Sequence, residues 1–373
     1  MKKILLAAAI AAFVMAGCSK NDPVDQLSTN SIQFKTLEVG SRAAEKGLST
    51  LQSDGFTAFA YYSSEQNPSS TADYTSQYMA ATSVSYSAPD WTYSPLKFWP
   101  TDGKNLVFYA YDNVITIGDI SAHGTTPASY TAPEAEGAGI DALVAKTDAI
   151  NTPTQKVVMN FHHALSQIVV SARVPDALQS LEFKITGIRL TNLKPSGNVN
   201  LLTWNPATPD AGNNAGNGLA WTATGNAETD YVLGLAASAE AIQWISGGAY
   251  TDITSTTGGL FVIPQQLDPG DALRYTATQN EYDGTNAGAY LEVTYQAKDI
   301  LSGELVQNTT TAVPLSQNFQ PGLKYRVNLT LIGSGKYGPT DPDKNPDGVD
   351  NIMPILFDAD VVEWVVSPLD MDL

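Results

Sequence analysis

The side chains of this 373-residue sequence best suited to bind a metal or attack a carbonyl are three histidines, His123, His162 and His163, and one cysteine, Cys18. Catalysis needs a positioned base, nucleophile or metal. Adjacent residues on a strand face opposite sides, so His162 and His163 cannot both ligate one metal. No HExxH, CxxC, phosphate-binding loop or Gly-x-Ser-x-Gly turn occurs in the sequence, so the familiar hydrolytic and nucleotide chemistries lack their residues. We expect no enzyme activity, no catalytic residue and no cofactor, with His162 or His163 serving as a core residue. One stretch has the look of a calcium loop. Asp343, Asn345 and Asp347, followed by Gly348, stand at its first, third, fifth and sixth places. Pro354 holds the twelfth place, where a bidentate Glu belongs, and Lys344 adds a positive charge. The stretch therefore reads as a solvated acidic linker, with Asp343, Asn345 and Asp347 as weak calcium candidates.

Cys18 has a different chemistry in view. Met1-Lys2-Lys3 gives a positive start, and Ile4 to Met15 is an apolar run shorter than the roughly 20 residues of a membrane-spanning helix. Ala16 and Gly17 then lead into Cys18. The arrangement resembles a lipoprotein signal, with Met15-Ala16-Gly17-Cys18 in the lipobox place and Met15 where Leu is usual. Residues 1–17 are then the signal peptide, Cys18 the lipidated first residue of an outer-membrane lipoprotein precursor, and residues 18–30 a polar tether. As the only cysteine, Cys18 allows no intramolecular disulfide. Loss of Lys2 and Lys3 leaves 18 basic against 38 acidic residues, a formal charge of −20. So acidic a chain argues against nucleic acid as a partner.

The elements that would position any site are strands. Phe56–Tyr62, Leu106–Tyr111, Lys156–Phe161 and Ser166–Val174 are rich in aromatic and β-branched residues, and clusters of Gly, Pro, Asn, Asp and Ser separate them. Leu181–Ile185, Gly187–Leu190, Asn198–Leu201, Leu260–Pro264, Leu273–Thr278, Tyr290–Ala297 and Lys324–Leu331 continue the series. Only Ala43–Leu51 and Asp141–Asp148 carry a spacing compatible with a helix. Many short strands without alternating helices predict an all-β, antiparallel sandwich architecture. A mature chain of roughly 350 residues exceeds one ordinary core, so two domains are expected, 31–175 and 176–373, divided near Val174-Pro175-Asp176.

The order of these blocks resembles the fimbrillin superfamily, the subunits of type V pili in Bacteroidales, and its Mfa-like members in particular. The resemblance runs from the lipoprotein signal through Ile32-Gln33-Phe34, Ser41-Arg42-Ala43, Phe56–Tyr62, Trp91-Thr92-Tyr93 and Lys97-Phe98-Trp99-Pro100. It continues through Leu106–Tyr111, Asp141–Ala145, Phe161–Leu165, Phe261–Gln265, Pro321–Tyr325 and Phe357–Asp360 with Trp364. It implies two transthyretin-like β-sandwich domains in tandem and a subunit of a cell-surface fimbrium, stalk or tip, acting in cell adhesion. Its partners would be other pilin subunits, the same or related, and an arginine-specific processing protease.

The resemblance also implies an assembly mechanism. A protease cuts after the first strand, the strand leaves, and a strand from the next subunit fills the groove. The matching position here is Arg42, with Ala43 becoming the new N-terminus; the cut would also release the anchor at Cys18. A sheet missing a strand exposes an unpaired edge and apolar core that a complementary strand can fill. The candidate donor lies within residues 352–373, where Val365, Leu369, Met371 and Leu373 share one face of an extended strand. Burying four such side chains is worth up to roughly 6–12 kcal/mol before ordering costs. The tail can also be read as the last strand of its own domain. Two other roles stay open: a monomeric surface lipoprotein that binds a glycan or host ligand on exposed aromatics, and a pilus anchor subunit that stays lipidated and uncut.

Overall fold

Runs such as Phe56–Tyr62 and Leu106–Tyr111 place apolar residues at consecutive positions, which suits strands covered on both faces. The computed structural model describes residues 31–36, 46–66, 68, 73–120, 128–132, 140–147, 156–205, 217–226, 229–254, 260–267, 275–276, 281–282, 288–315, 317–331 and 355–363. Its first part forms β1 (Phe34–Thr36), helix α1 (Leu48–Asp54), β2 (Phe56–Ser63), β3 (Tyr74–Ser87), β4 (Asp90–Tyr93) and β5 (Leu106–Tyr111). There follow β6 (Thr116–Ile117), β7 (Ala128–Thr131), β8 (Leu143–Lys146), β9 (Val157–Met159) and β10 (Phe161–His163).

Eight of these strands make one sheet, in the order β10-β8-β5-β2-β3-β4-β1-β9. Its two edges, β9 and β10, are one stretch of chain with only Asn160 between them, so the sheet must curl until its edges approach. The curl encloses a core. Phe56, Ala58 and Ala60 of β2, Leu106, Phe108 and Ala110 of β5, and Leu143 and Ala145 of β8 all lie in it. The alternate residues Phe59, Tyr61, Val107, Tyr109 and Val144 bury on the other face, in a second cluster that continues into the rest of the molecule. Helix α1 covers the first core with Leu51, and Gly55 ends it. Gly55 has φ +72°, and a Cβ there would stand 2.5 Å from the Val84 carbonyl oxygen, so only glycine fits.

The second part comprises β11 (Ser166–Arg173), β12 (Leu181–Leu193), β13 (Ser196–Val199), β14 (Trp221–Thr224), β15 (Thr229–Val232), β16 (Thr251–Asp252) and β17 (Leu260–Val262). It closes with β18 (Tyr275–Thr276), β19 (Glu281–Tyr282), β20 (Tyr290–Asp299), β21 (Leu305–Pro314), β22 (Leu323–Leu331) and β23 (Ile355–Glu363). β11 lies beside β22 in parallel, with β16 and β17 on its other side and β23 beyond β22. A second sheet runs β15-β12-β20-β21, and a third, β14-β13-β7-β6, takes strands from both halves of the chain. One hydrophobic cluster fills the space between these sheets.

The chain is all-β, as its composition and turn spacing lead one to expect. Two local expectations change. The helix expected over Ala43–Leu51 is described only at Leu48–Asp54. The stretch Asp141–Asp148, whose spacing is compatible with a helix, contains strand β8, paired with β5 on one side and β10 on the other. Ladder pairing on two sides outweighs the helical leaning of its alanines. Ala164 and Leu165 separate β10 of the curled sheet from β11, which pairs with β16, β17 and β22. Val174-Pro175-Asp176 follows β11, which ends at Arg173.

Candidate functional site

β1 is the shortest interior strand of the curled sheet, and its seat is built mostly from aromatic side chains. Phe34 pairs antiparallel with Trp91 of β4, while Phe34, Lys35 and Thr36 pair in parallel with Val157, Val158 and Met159 of β9. Just upstream, the Ile32 amide donates to the Lys97 carbonyl at 2.8 Å, and the Val157 amide donates to the Gln33 carbonyl at 2.7 Å. The Tyr93 hydroxyl donates to the Ile32 carbonyl at 2.9 Å. Ile32 and Phe34 are each 1% exposed, whereas Gln33 and Lys35 face solvent, the alternation a half-covered strand requires. Around the Phe34 ring stand Tyr93 at 5.4 Å, Phe108 at 5.8 Å and Phe56 at 6.1 Å between centroids, all edge-on. Phe56 in turn meets Trp91 and Phe161.

Burial of Ile32 and Phe34 is worth roughly 3–6 kcal/mol. Departure of the strand would leave β4 and β9 as two unpaired edges over an aromatic-lined groove. One exposed ion pair joins those walls: Lys156, preceding β9, meets Asp90 of β4 at 2.5 Å.

On the far side of residues 37–45 the chain re-enters at Lys46. Its amide donates to Asp141 Oδ2 at 3.0 Å, and its Nζ meets Asp112 Oδ2 at 2.7 Å. Asp141 Oδ2 also accepts from His163 Nδ1 at 2.7 Å, and Asp112 Oδ2 from the Leu143 amide at 3.1 Å. Burial pushes the Asp112 carboxyl up to about 6, against the pull of Lys46 toward the charged form. A cleft of about 240 Å³ beside Lys46 is lined by Thr50, Leu51, Asp54, Asp112 and Val114. Sequence reasoning reads His163 only as a core residue and gives no site role to Lys46, Asp112 or Asp141. The available signal was a carboxylate at the end of each of two apolar strands, at Asp112 and Asp141.

His162 and His163 point to opposite faces, as expected of neighbours on a strand. His163 is buried against Asp141, while the His162 ring meets Trp204 edge-on at 5.3 Å. Burial lowers His162 to about 4, and the neighbouring His163 adds to the shift. Across the same seam the Trp221 indole donates to the Ala164 carbonyl at 2.7 Å, and Asn217 Nδ2 donates to the His163 carbonyl at 2.6 Å. The histidine pair thus joins the curled sheet to the second half.

A family model described as fimbrillin-like matches residues 41–341 of the chain. The chain belongs to the fimbrillin-like family. Among curated proteins, fimbrium subunit Fim1C of Phocaeicola vulgatus is 29% identical over 234 residues, covering 54% of this chain and 62% of that protein. The match therefore spans less than two thirds of that relative's length. Among solved structures, a fimbrial protein from Bacteroides vulgatus aligns over 90% of this chain and 100% of its own, with a TM-score of 0.57 at 18% identity. That likeness is one of fold.

In this fimbrillin-like chain the residues singled out from sequence fall unevenly. Cys18, Arg42, Ala43, Asp343, Asn345, Asp347, Val365, Leu369, Met371 and Leu373 lie outside the described residues. Of the candidate donor stretch 352–373, Ile355–Glu363 is the edge strand β23, in antiparallel register with β22 from Leu323↔Glu363 to Leu331↔Ile355. Among the described residues, no group of three or more His, Cys, Asp or Glu is placed to hold a metal ion. The exposed large apolar side chains among them are all aliphatic, Leu301 at 93% foremost.

Proposed function

We propose that this chain is a structural subunit of a cell-surface fimbrium that polymerises by strand replacement. The observation that carries the reading is the seat of β1. A three-residue strand lies between β4 and β9, its Ile32 and Phe34 fill an aromatic groove, and Arg42 follows within the next stretch of chain. Cutting after Arg42 frees that strand together with Cys18 and its lipid, and so converts an outer-membrane precursor into an assembly-competent subunit. The vacated groove then takes an extended strand from another pilin subunit.

Residues 352–373 are the donor. An isoleucine followed two residues later by a phenylalanine occurs at only two places in the sequence, Ile32-Gln33-Phe34 and Ile355-Leu356-Phe357. Laid along β1, the second triplet brings an isoleucine and a phenylalanine to the positions the first has left. Val365, Leu369, Met371 and Leu373 extend the same apolar tail. Donation requires β23 to leave β22, and as an edge strand it has one ladder to give up.

Limited arginine-specific proteolysis of the lipid-free protein, read by intact mass and by size, tests the reading. A single early cut after Arg42 followed by ladders or fibres is expected, with loss of fibres when the chain stops before Ile355. Resistance at Arg42, or a cut product that stays monomeric, overturns it.

A further inference from the structure

We infer that Lys46 is the first anchored residue of the part that stays: Asp112, Asp141 and His163 grip the chain there, so helix α1 and everything after it stay seated once the upstream strand is gone. The inference rests on the strand-replacement reading and adds what holds the remainder.

Lys46 is attached twice, by its backbone amide to Asp141 and by its ammonium to Asp112. The two carboxylates stand at the ends of different strands, Asp112 just after β5 and Asp141 just before β8. Side-chain exposure is 16% for Lys46, 3% for Asp112, 1% for Asp141 and 3% for His163. A lysine on an ordinary surface loop is mostly solvated; this one is received by a buried, pre-bonded pair of carboxylates. Charge-assisted bonds of this kind are among the strongest available to a chain end.

Helix α1 needs such a hold. It has seven residues, a single buried side chain in Leu51, and no side-chain cap at Gly47. A helix that short does not persist on its own propensity. Before the cut, β1 upstream and β2 downstream tether it from both sides. After the cut only the grip on Lys46 remains upstream, and without it the helix would peel from the core that Leu51 covers.

The test removes any dependence on Arg42 by placing a sequence-specific protease site at residues 39–44. Amide hydrogen exchange over residues 46–54 is compared in cut and uncut protein, each with Lys46 and with Lys46→Met. Protection is expected to survive cutting in the parent, and to fall by about tenfold or more in cut Lys46→Met, the scale of a lost charged hydrogen bond. Uncut Lys46→Met should stay within about threefold of the parent, because the closed loop still restrains the helix. Loss of protection on cutting the parent, or retention in cut Lys46→Met, overturns the inference. Should Lys46→Met fail to fold, Asp141→Asn in the same comparison decides it, with loss again confined to the cut form. Resistance of Arg42 in the natural sequence would count against strand replacement and leave this result standing.

Discussion

The first and last described strands of the chain are held in opposite ways. β1 has three residues, is flanked on both sides, and buries Ile32 and Phe34 in an aromatic groove. β23 has nine residues, sits at a sheet edge, and is paired with β22 alone. Buried side chains and two short ladders hold the first strand, and the last has one long ladder, to β22. A strand seated by its side chains can be exchanged for another that presents the same groups, because the ladder bonds it gives up are remade by any backbone. A strand held along one edge can leave while opening only one edge behind it. Under the strand-replacement proposal the last would take the place of the first between copies.

The sharpest way to break this contrast is at Phe34. Phe34→Ala should destabilise the uncut protein by about 3–5 kcal/mol, since a large buried ring is lost from a groove that cannot collapse. Denaturant unfolding reads the change. In the cut product the same substitution should change nothing, because residue 34 has gone. An equal loss in both forms would show that the strand had not left.

Titration separates the groove from the seam behind it. Asp112 is raised to about 6 in the folded chain, above the ordinary carboxylate value of about 3.9. Its contribution to stability is therefore fully present below that ordinary value and is lost as the pH rises through about 6. His162 is depressed to about 4, from an ordinary value of about 6.5. It contributes above the ordinary value and loses that contribution as the pH falls toward about 4. The two oppose each other across this window, each at roughly 3 kcal/mol. Asp112→Asn should unmask the acid loss due to His162, and His162→Gln should unmask the acid gain due to Asp112. Stability measured at several pH values between 4 and 7 checks both signs.

The smallest effect belongs to the bond across the groove. Lys156→Ala removes the ion pair to Asp90, whose partners are 41% and 53% exposed, and should cost no more than about 1 kcal/mol in the uncut protein. Its effect should shrink further at high salt. A larger loss would mean that the walls need more than β1 to stay together.

Much of this was legible in the residues. Alternation at Ile32-Gln33-Phe34 gives a strand with one buried face, and the consecutive apolar residues of Phe56–Tyr62 and Leu106–Tyr111 give strands buried on both. What stayed hidden depends on partners distant in sequence. Asp141 meets Lys46 across 95 positions and Lys46 meets Asp112 across 66, so no local spacing announces the cluster. The spacing over Asp141–Asp148 is compatible with a helix, and only the pairing of β8 with β5 and β10 decides otherwise. Ala164 and Leu165, between β10 of one sheet and β11 of another, carry no turn signal.

The most direct measurement traps the exchanged strand in register. With Ile355-Leu356-Phe357 laid on Ile32-Gln33-Phe34, Asp358 takes the place of Lys35, opposite the half-exposed Val158. Lipid-free protein without Cys18, carrying Val158→Cys and Asp358→Cys, is cut after Arg42 and oxidised. Disulfide-linked ladders that appear only after cutting, and disappear when either cysteine is omitted, are the expected result. Uncrosslinked monomers, or ladders that form equally well before the cut, would contradict strand replacement at this groove.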